Sequence, residues 1–449
     1  MRKTVSIFLS FLILISSFTF AFSANAATYT PDAELYSKAY MLINLDDETY
    51  PVVAEKNADE KMYPASLTKI VTAMVTLNNV SDLSAQTEVS SSAIDVLAGS
   101  GAQVAGLKKG DVLTIEQLLY LTMVHSACDA TEVLAEYVGK TRSGFVDMMN
   151  DYAQSLGCMN THFENPDGLH SENHYTTASD MATIALDAIQ NETFMKMATT
   201  VQYEYNGMNY YHTNLMLRSG YVSYYYKYAQ GIKTGSTEEA GYCVITKASK
   251  DGYNYLAVVM GAPVIDYNKD GYKEKCSFID AATLFNWAFN SLKYSTLAEK
   301  NEILDEIPVK NGKDTDSVQL VAKTDVTVIV PTSLDKSAII VESVDKPAEI
   351  SAPVEQGDYV CKANIIYGDE VIATVDLVAA NTVELSTFLK VINAIKHFFS
   401  LTVVKIIFVA AVLFVLVYIL LVINNYKKKK ERKKRREQAY YDDENSDNQ

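Results

Sequence analysis

At 449 residues the chain is long enough for two globular domains, and a composition of 48% hydrophobic and 21% charged residues is that of folded protein, which excludes a largely disordered chain. The formal net charge of −16 conceals a split: residues 1–26 contribute +2, residues 427–449 carry nine basic and six acidic groups, and residues 27–426 are left with −21. An acidic body of that size argues for solubility and against a nucleic-acid partner.

In chain order, Arg2 and Lys3 precede an apolar run from Val5 to Phe22 and the small residues Ala24-Asn25-Ala26, which together read as a secretory signal peptide over residues 1–26. Residues 39–55 show two apolar runs about a polar turn, the pattern of a β-hairpin. Then comes Tyr63-Pro64-Ala65-Ser66-Leu67-Thr68-Lys69-Ile70. Pro64 cannot continue a helix backwards, and Ile70, Val71, Met74, Val75 and Leu77 recur at helical spacing, so a helix is expected to open here with Ser66 in its first turn. Residues i and i+3 share a helix face, which brings the Ser66 hydroxyl toward the Lys69 amine with the positive end of the helix dipole behind them. That places a nucleophile beside a base. A lysine can take a serine's proton only if burial or a second cation lowers its pKa from about 10.4 toward neutrality, so the chemistry demands further residues.

Downstream, Thr114-Ile115-Glu116-Gln117 resembles a capping box and opens a helix that stops near His125. A second helical run begins after Asp129, which puts Ser126-Ala127-Cys128 in the turn between two helices, where a side chain can point into a cleft. Helices are expected over 143–156, closed by Gly157, and over 177–189, with Phe163-Glu164-Asn165-Pro166-Asp167-Gly168-Leu169 as a tight loop between them. The tyrosine-dense stretch from Tyr203 to Tyr228 reads as aromatic residues packed on strands. Gly231-Ile232-Lys233-Thr234-Gly235-Ser236 leads into an antiparallel pair, 242–248 and 255–262, with a turn at Asp251-Gly252 and Lys233 on a sheet edge. The run from Asp266 to Gly271 imitates a calcium loop, but Ser277 stands where a bidentate glutamate belongs, so a simple turn is expected.

From about Glu302 short alternating runs give a small all-β domain over 301–385, and residues 386–405 an amphipathic helix. Residues 406–423 are unbroken apolar, roughly 27 Å as a helix, enough for one membrane span. Nine Lys or Arg lie between Lys427 and Arg436, and the positive-inside rule keeps such a tail, 424–449, cytoplasmic with the body outside the cell and the β-domain as a stalk. Five scattered cysteines without C-x-x-C spacing and six dispersed histidines point to no disulfide framework, no metal site and no cofactor.

Ser66-x-x-Lys69, Ser126-x-Cys128 and Lys233-Thr234-Gly235 stand in this order within residues 27–300, and this constellation resembles the penicillin-recognising serine acyl-transferases. More narrowly, Lys56-Asn57-Ala58-Asp59-Glu60, Asn165-Pro166-Asp167-Gly168-Leu169 and Glu239-Ala240-Gly241-Tyr242-Cys243 are similar to the low-molecular-weight D-alanyl-D-alanine carboxypeptidases. The resemblance implies an α/β transpeptidase-like domain, an antiparallel sheet flanked by a helical subdomain, followed by the β-domain. It implies a peptidoglycan stem pentapeptide as substrate and β-lactams as inhibitors, with Ser66 as nucleophile, Lys69 as general base and Ser126 as proton relay. Lys233 and Thr234 would meet the substrate carboxylate. Gly235, Ser236 and Cys128 would complete the substrate-binding set, the backbone N–H groups of Ser66 and Ser236 forming the oxyanion hole.

The third residue of the second motif is normally Asn and here is Cys128. Two other readings follow: a membrane-anchored serine β-lactamase that uses Glu164 to activate water, and an attenuated peptidoglycan-binding or sensing protein.

Overall fold

The structure is a computed structural model that describes residues 28–368 and 370–446; the expected signal peptide lies outside the described residues. By contact density the chain divides into two units, one of residues 1–297, 326–342 and 364–374, the other of residues 298–325, 343–363 and 375–449.

The first unit is built on a five-stranded antiparallel sheet. The hairpin of β1 (Ala39–Asn44) and β2 (Val52–Lys56) leads into a 3₁₀ turn, Ala65–Thr68, and helix α1 (Lys69–Asn79). Helices α2 (Ile115–Tyr120), α3 (Cys128–Gly139), α4 (Arg142–Ser155) and α5 (Ala178–Ala188) follow, then the short hairpin β3 (Gln202–Tyr205) and β4 (Met208–Tyr211). Strands β5 (Ala229–Thr237), β6 (Gly241–Lys250) and β7 (Tyr253–Ala262) complete the sheet in the order β2-β1-β7-β6-β5, and α6 (Cys276–Ser291) packs against β6 and β7. The alternation that sends Met41, Ile43, Ile245, Leu256, Val258 and Met260 to one face of the sheet sends Tyr40, Leu42, Val244, Tyr255, Ala257 and Val259 to the other. Two cores result. The first holds α1 to α5 and the Ser66 turn; the second holds α6, whose Asp280 carboxylate accepts the Tyr36 and Ser37 N–H groups at 3.0 and 2.6 Å.

Several local expectations are met: the hairpin expected over 39–55, the Thr114–Gln117 capping box, the helices opening near 143 and 177, and Lys233 on edge strand β5. Others are corrected. Ser66 lies in a 3₁₀ turn ahead of the α-helix, and Cys128 is the first residue of α3 rather than part of the preceding turn, because one π-helical turn over Leu121–His125 reverses the chain within Ser126 and Ala127. Tyr221 to Tyr228 lie in turns before β5. Tyr224 and Tyr226 pack on Phe278 and Phe285 of α6, a helix that the sequence reading did not assign.

In the second unit β8 (Ile303–Lys310) pairs antiparallel with β9 (Ser317–Ala322), which also pairs with the end of β11 (Glu370–Ala379), while the two-residue β10 (Ile350–Ser351) runs parallel to β8. Buried Ile307, Val309, Val318, Leu320, Leu377 and Ala379 form its interior. Helix α7 (Thr387–Ser400) exposes Phe388, Val391, Ile395 and Phe398 at helical spacing, and α8 (Thr402–Ser446) follows after Leu401, so residues 402–405 belong to the long helix. Over Thr402–Glu437 this helix is long and apolar enough to cross a membrane, with a mean hydropathy of 3.5 in its most apolar window.

The capping box gives a direct check on this reading. Thr114→Ala removes the acceptor for the Gln117 N–H and is expected to cost about 1 kcal/mol, seen as a lower denaturant midpoint with unchanged slope.

Candidate active site

Ala65 adopts a left-handed conformation, φ 47°, which turns the chain sharply after Pro64 and presents Ser66, half-buried, at the head of the 3₁₀ turn. Thr68 Oγ1 donates to the Ala65 carbonyl at 2.8 Å and meets His174 Nε2 at 2.8 Å. His174 Nδ1 accepts the Glu164 N–H at 3.1 Å, so its proton is on Nε2, which donates to Thr68. Burial, aided by His162, His170, Lys69 and Arg142, pushes the His174 pKa down to about 3, and the ring stays neutral. Two glycines close the turn in. A Cβ on Gly168, whose φ is +83°, would run into the Ala65 carbonyl, and one on Gly235 of β5 would stand 2.7 Å from the Pro64 carbonyl and 3.1 Å from the Ser66 nitrogen. The edge strand can approach the serine only because no side chain intervenes.

Lys69 is completely buried. Its Nζ lies 3.1 Å from Ser66 Oγ, 3.4 Å from Cys128 Sγ and 2.6 Å from the backbone carbonyl of Asp167. The Asn165–Leu169 loop that supplies this carbonyl is held by Asn165, whose Oδ1 accepts from Gly168 N–H and whose Nδ2 donates to the Leu169 carbonyl. Burial pushes the Cys128 thiol's pKa up while Lys69 pulls it down, and the net shift is upward, so the group beside Lys69 is a neutral thiol.

Ser126, in a left-handed conformation at φ 62° and 5% exposed, receives a hydrogen bond of 2.9 Å from Lys233 Nζ, which also donates to the Thr234 carbonyl at 2.8 Å. Burial first, and then the charge of Lys69, pushes the Lys233 pKa well below its ordinary value. Thr234 Oγ1 donates to Thr213 Oγ1 at 2.7 Å. Opposite, the Asp129 carboxylate accepts the N–H groups of Ala105, Gly106 and Leu107 at 2.8 to 2.9 Å, which fixes the wall that carries Gln103.

These elements enclose a cleft of about 670 Å³ lined by Ser66, Ser126, Cys128, Thr234, Gly235 and Ser236 among others. The fold thus gathers Ser66, Lys69, Ser126, Cys128, Lys233, Thr234, Gly235 and Ser236, drawn from three separate stretches, at one place. Glu164 is not among the residues that line the cleft; its carboxylate accepts from Ser171 Oγ. The sequence reading missed the Asp167 carbonyl, His174, Thr213 and Asp129. Only the first had a signal, the Asn-Pro and Asp-Gly pairs that mark a tight loop.

The family model described as D-alanyl-D-alanine carboxypeptidase matches residues 24–264, and that of the penicillin-binding protein 5 C-terminal domain matches residues 293–385. D-alanyl-D-alanine carboxypeptidase DacF of Bacillus subtilis is 27% identical over 357 residues, 80% of this chain and 88% of its own length. DacC of Escherichia coli, also named a D-alanyl-D-alanine carboxypeptidase, is 29% identical over 352 residues, 76% of this chain and 83% of its own length. Among solved structures, penicillin binding protein 5 from Haemophilus influenzae superposes with a TM-score of 0.58 at 25% identity over 79% of this chain and 99% of that one. The carboxypeptidase DacD from Francisella tularensis superposes with a TM-score of 0.63 at 25% identity over 81% and 97%. The architecture is therefore that of penicillin-binding protein 5, an α/β transpeptidase-like domain followed by an all-β domain.

Gly168→Ala separates close approach from backbone strain. Gly110 has a similar φ of +87° with open space around it, so Gly110→Ala is expected to cost about 1 kcal/mol of stability, whereas Gly168→Ala, whose Cβ also meets the Ala65 carbonyl, is expected to cost about 3 kcal/mol, read from the denaturant midpoints.

Proposed function

The chain belongs to the D-alanyl-D-alanine carboxypeptidase family, and on that premise we propose that it removes the terminal D-alanine from peptidoglycan stem pentapeptides through a Ser66 acyl-enzyme, and that penicillin acylates the same serine. The observation that carries the reading is the set of partners around Lys69 Nζ. A neutral amine has two N–H groups and one lone pair. The Asp167 carbonyl can only accept and takes one N–H, and the Cys128 sulfur accepts the other weakly. The nitrogen's remaining partner is the Ser66 hydroxyl at 3.1 Å, so that when Lys69 acts as general base in its neutral form the lone pair serves that hydroxyl.

Ser66 Oγ attacks the carbonyl between the two D-alanines and its proton passes to Lys69 Nζ. The oxyanion is met by the backbone N–H groups of Ser66 and Ser236, each such donor being worth about 3 kcal/mol. The C–N bond then breaks, Ser126 Oγ gives its proton to the departing amine, and the proton taken up by Lys69 replaces it, directly or relayed through Lys233, so that Lys69 is neutral again. Lys233 and Thr234 receive the C-terminal carboxylate, whose arrival compensates the charge that burial disfavours on Lys233. Water hydrolyses the acyl-enzyme and restores Ser66.

Ser66→Ala is expected to abolish both D-alanine release and penicillin labelling; equal labelling of parent and variant would overturn the assignment. An asparagine at position 128 offers a full carbonyl acceptor to Lys69 and an amide donor to the substrate, where the thiol offers weaker versions of both. Two hydrogen bonds of roughly 1 kcal/mol each make Cys128→Asn about ten- to a hundredfold faster in single-turnover acylation.

The apolar part of α8 is the membrane anchor in this reading, with the catalytic unit outside the cell and the basic tail inside. Protease added to intact cells is expected to degrade everything but the span and tail, and protection of the catalytic unit would overturn that orientation.

A further inference from the structure

Behind the Asp167 carbonyl lies a second pair of groups that the mechanism above does not use. Glu132, on α3, is 1% exposed, and both of its carboxyl oxygens stand 3.0 Å from Arg142 Nε of α4. The Asp167 carboxyl comes within hydrogen-bonding reach of Glu132. Asp167 is itself 1% exposed; its Oδ1 accepts the Leu169 N–H at 2.8 Å, and its Oδ2 is buried without any donor. Two ionised carboxylates here would face each other in a buried place with one guanidinium, bonded to Glu132, to offset them, and Asp167 Oδ2 would keep a buried charge with no hydrogen bond.

We propose that Glu132 is a positioning residue: its carboxyl is in the acid form, donates its proton in a hydrogen bond to Asp167 Oδ2, and thereby holds the Asp167 carbonyl in place as the acceptor for Lys69. One proton satisfies every observation. It supplies the donor that Asp167 Oδ2 lacks, and it leaves one negative charge opposite the one positive charge of Arg142. Burial pushes the Glu132 carboxyl up to about 8, the Asp167 charge adds to this, and Arg142 opposes it.

The charged groups facing Glu132 are Arg142 from α4 and Asp167 from the 165–169 loop. Lys69 and the neutral Cys128 thiol meet at the other side of Asp167, through its backbone. On α3 itself, Asp129 is occupied by the 105–107 amides and Glu136 by Ser90 and Ser92. His174 is neutral. When Glu132 loses its proton, Asp167 loses its donor, two carboxylates repel each other in a buried place, and the Asp167 carbonyl that holds Lys69 loses its support. A rise of pH through about 8 should therefore slow acylation.

The inference rests on the acyl-enzyme reading, and the test keeps the two apart. Acylation by a fluorescent penicillin and the thermal midpoint are measured between about pH 5 and 10 on the full chain in detergent, for the parent, Glu132→Gln and Glu132→Ala. The glutamine amide can still donate to Asp167 and accept from Arg142, without titrating. The parent is expected to lose about tenfold in rate through pH 8, Glu132→Ala to be about tenfold slower already at pH 7, and Glu132→Gln to stay within about threefold of the parent at pH 7 with no alkaline fall.

Stability gives a readout that needs no acylation. The folded carboxyl is raised above the unfolded value of 4.5, so its contribution is full below that value and lost as pH rises through about 8. The midpoint of the parent relative to Glu132→Gln should fall over this window. Coincident rate profiles for parent and Glu132→Gln, or a Glu132→Gln as slow at pH 7 as Glu132→Ala, would overturn the proposal in favour of an ionised Glu132 paired with Arg142. If the parent is not acylated at all, the acyl-enzyme reading fails and the midpoints alone decide: a falling difference supports the shared proton, and a constant one overturns it.

Discussion

The contact on which the rest of the site depends is that between the Lys69 amine and the backbone carbonyl of Asp167. A lysine with no access to water keeps only the partners the fold supplies, and its strongest partner here is an oxygen that can only accept. That oxygen takes an N–H and so directs the remaining valence of the nitrogen toward Ser66. The tight Asn165–Leu169 loop, the glycine that lets it pass under Ala65 and the neutral histidine behind Thr68 all serve to keep this one carbonyl and the serine turn in register.

Two buried lysines in one cleft are a second constraint. Lys69 disfavours the charge on Lys233, and burial does so more strongly; among the described residues no carboxylate side chain is bonded to either amine. Lys233 instead donates to Ser126 and to its own neighbour's carbonyl. With both amines held by hydroxyl, sulfur and carbonyl partners, a ligand carboxylate that reached either one would meet a cation no side-chain carboxylate has already paired. The acidic side chains nearest to Lys69 are set back, Asp129 spent on backbone amides and Asp167 turned toward Glu132.

Cys128 shows how a changed residue can keep its place. As the first residue of α3 it is fixed by the chain reversal at Ser126 and by its N–H, which donates to the Gln103 carbonyl at 2.8 Å, whichever side chain it carries. The thiol keeps the contact to Lys69, at 3.4 Å, as a long, weak interaction. What varies is the strength of the hydrogen bonds the side chain can offer, since the backbone geometry does not depend on them.

The sequence by itself determined the units of the site and their order. Pro64 and the spacing of Ile70, Val71 and Met74 place Ser66 and Lys69 on one face, the Thr114–Gln117 box opens the helix that leads to Ser126, and alternation puts Lys233 on a strand. Each of these rests on residues within a few positions of one another, where periodicity and capping act. What it could not show were the pairings across the fold: Lys69 with a carbonyl 98 residues away, Lys233 with Ser126 at 107, His174 with Thr68 at 106. The Asn-Pro and Asp-Gly pairs mark a tight loop but not which amine its Asp167 carbonyl meets, and the tyrosines from 221 to 228 have no visible partner until α6 is in place. The tertiary structure decided these because burial and hydrogen-bond satisfaction are properties of the packed chain; only there does a glycine on an edge strand become the surface against which a serine is held.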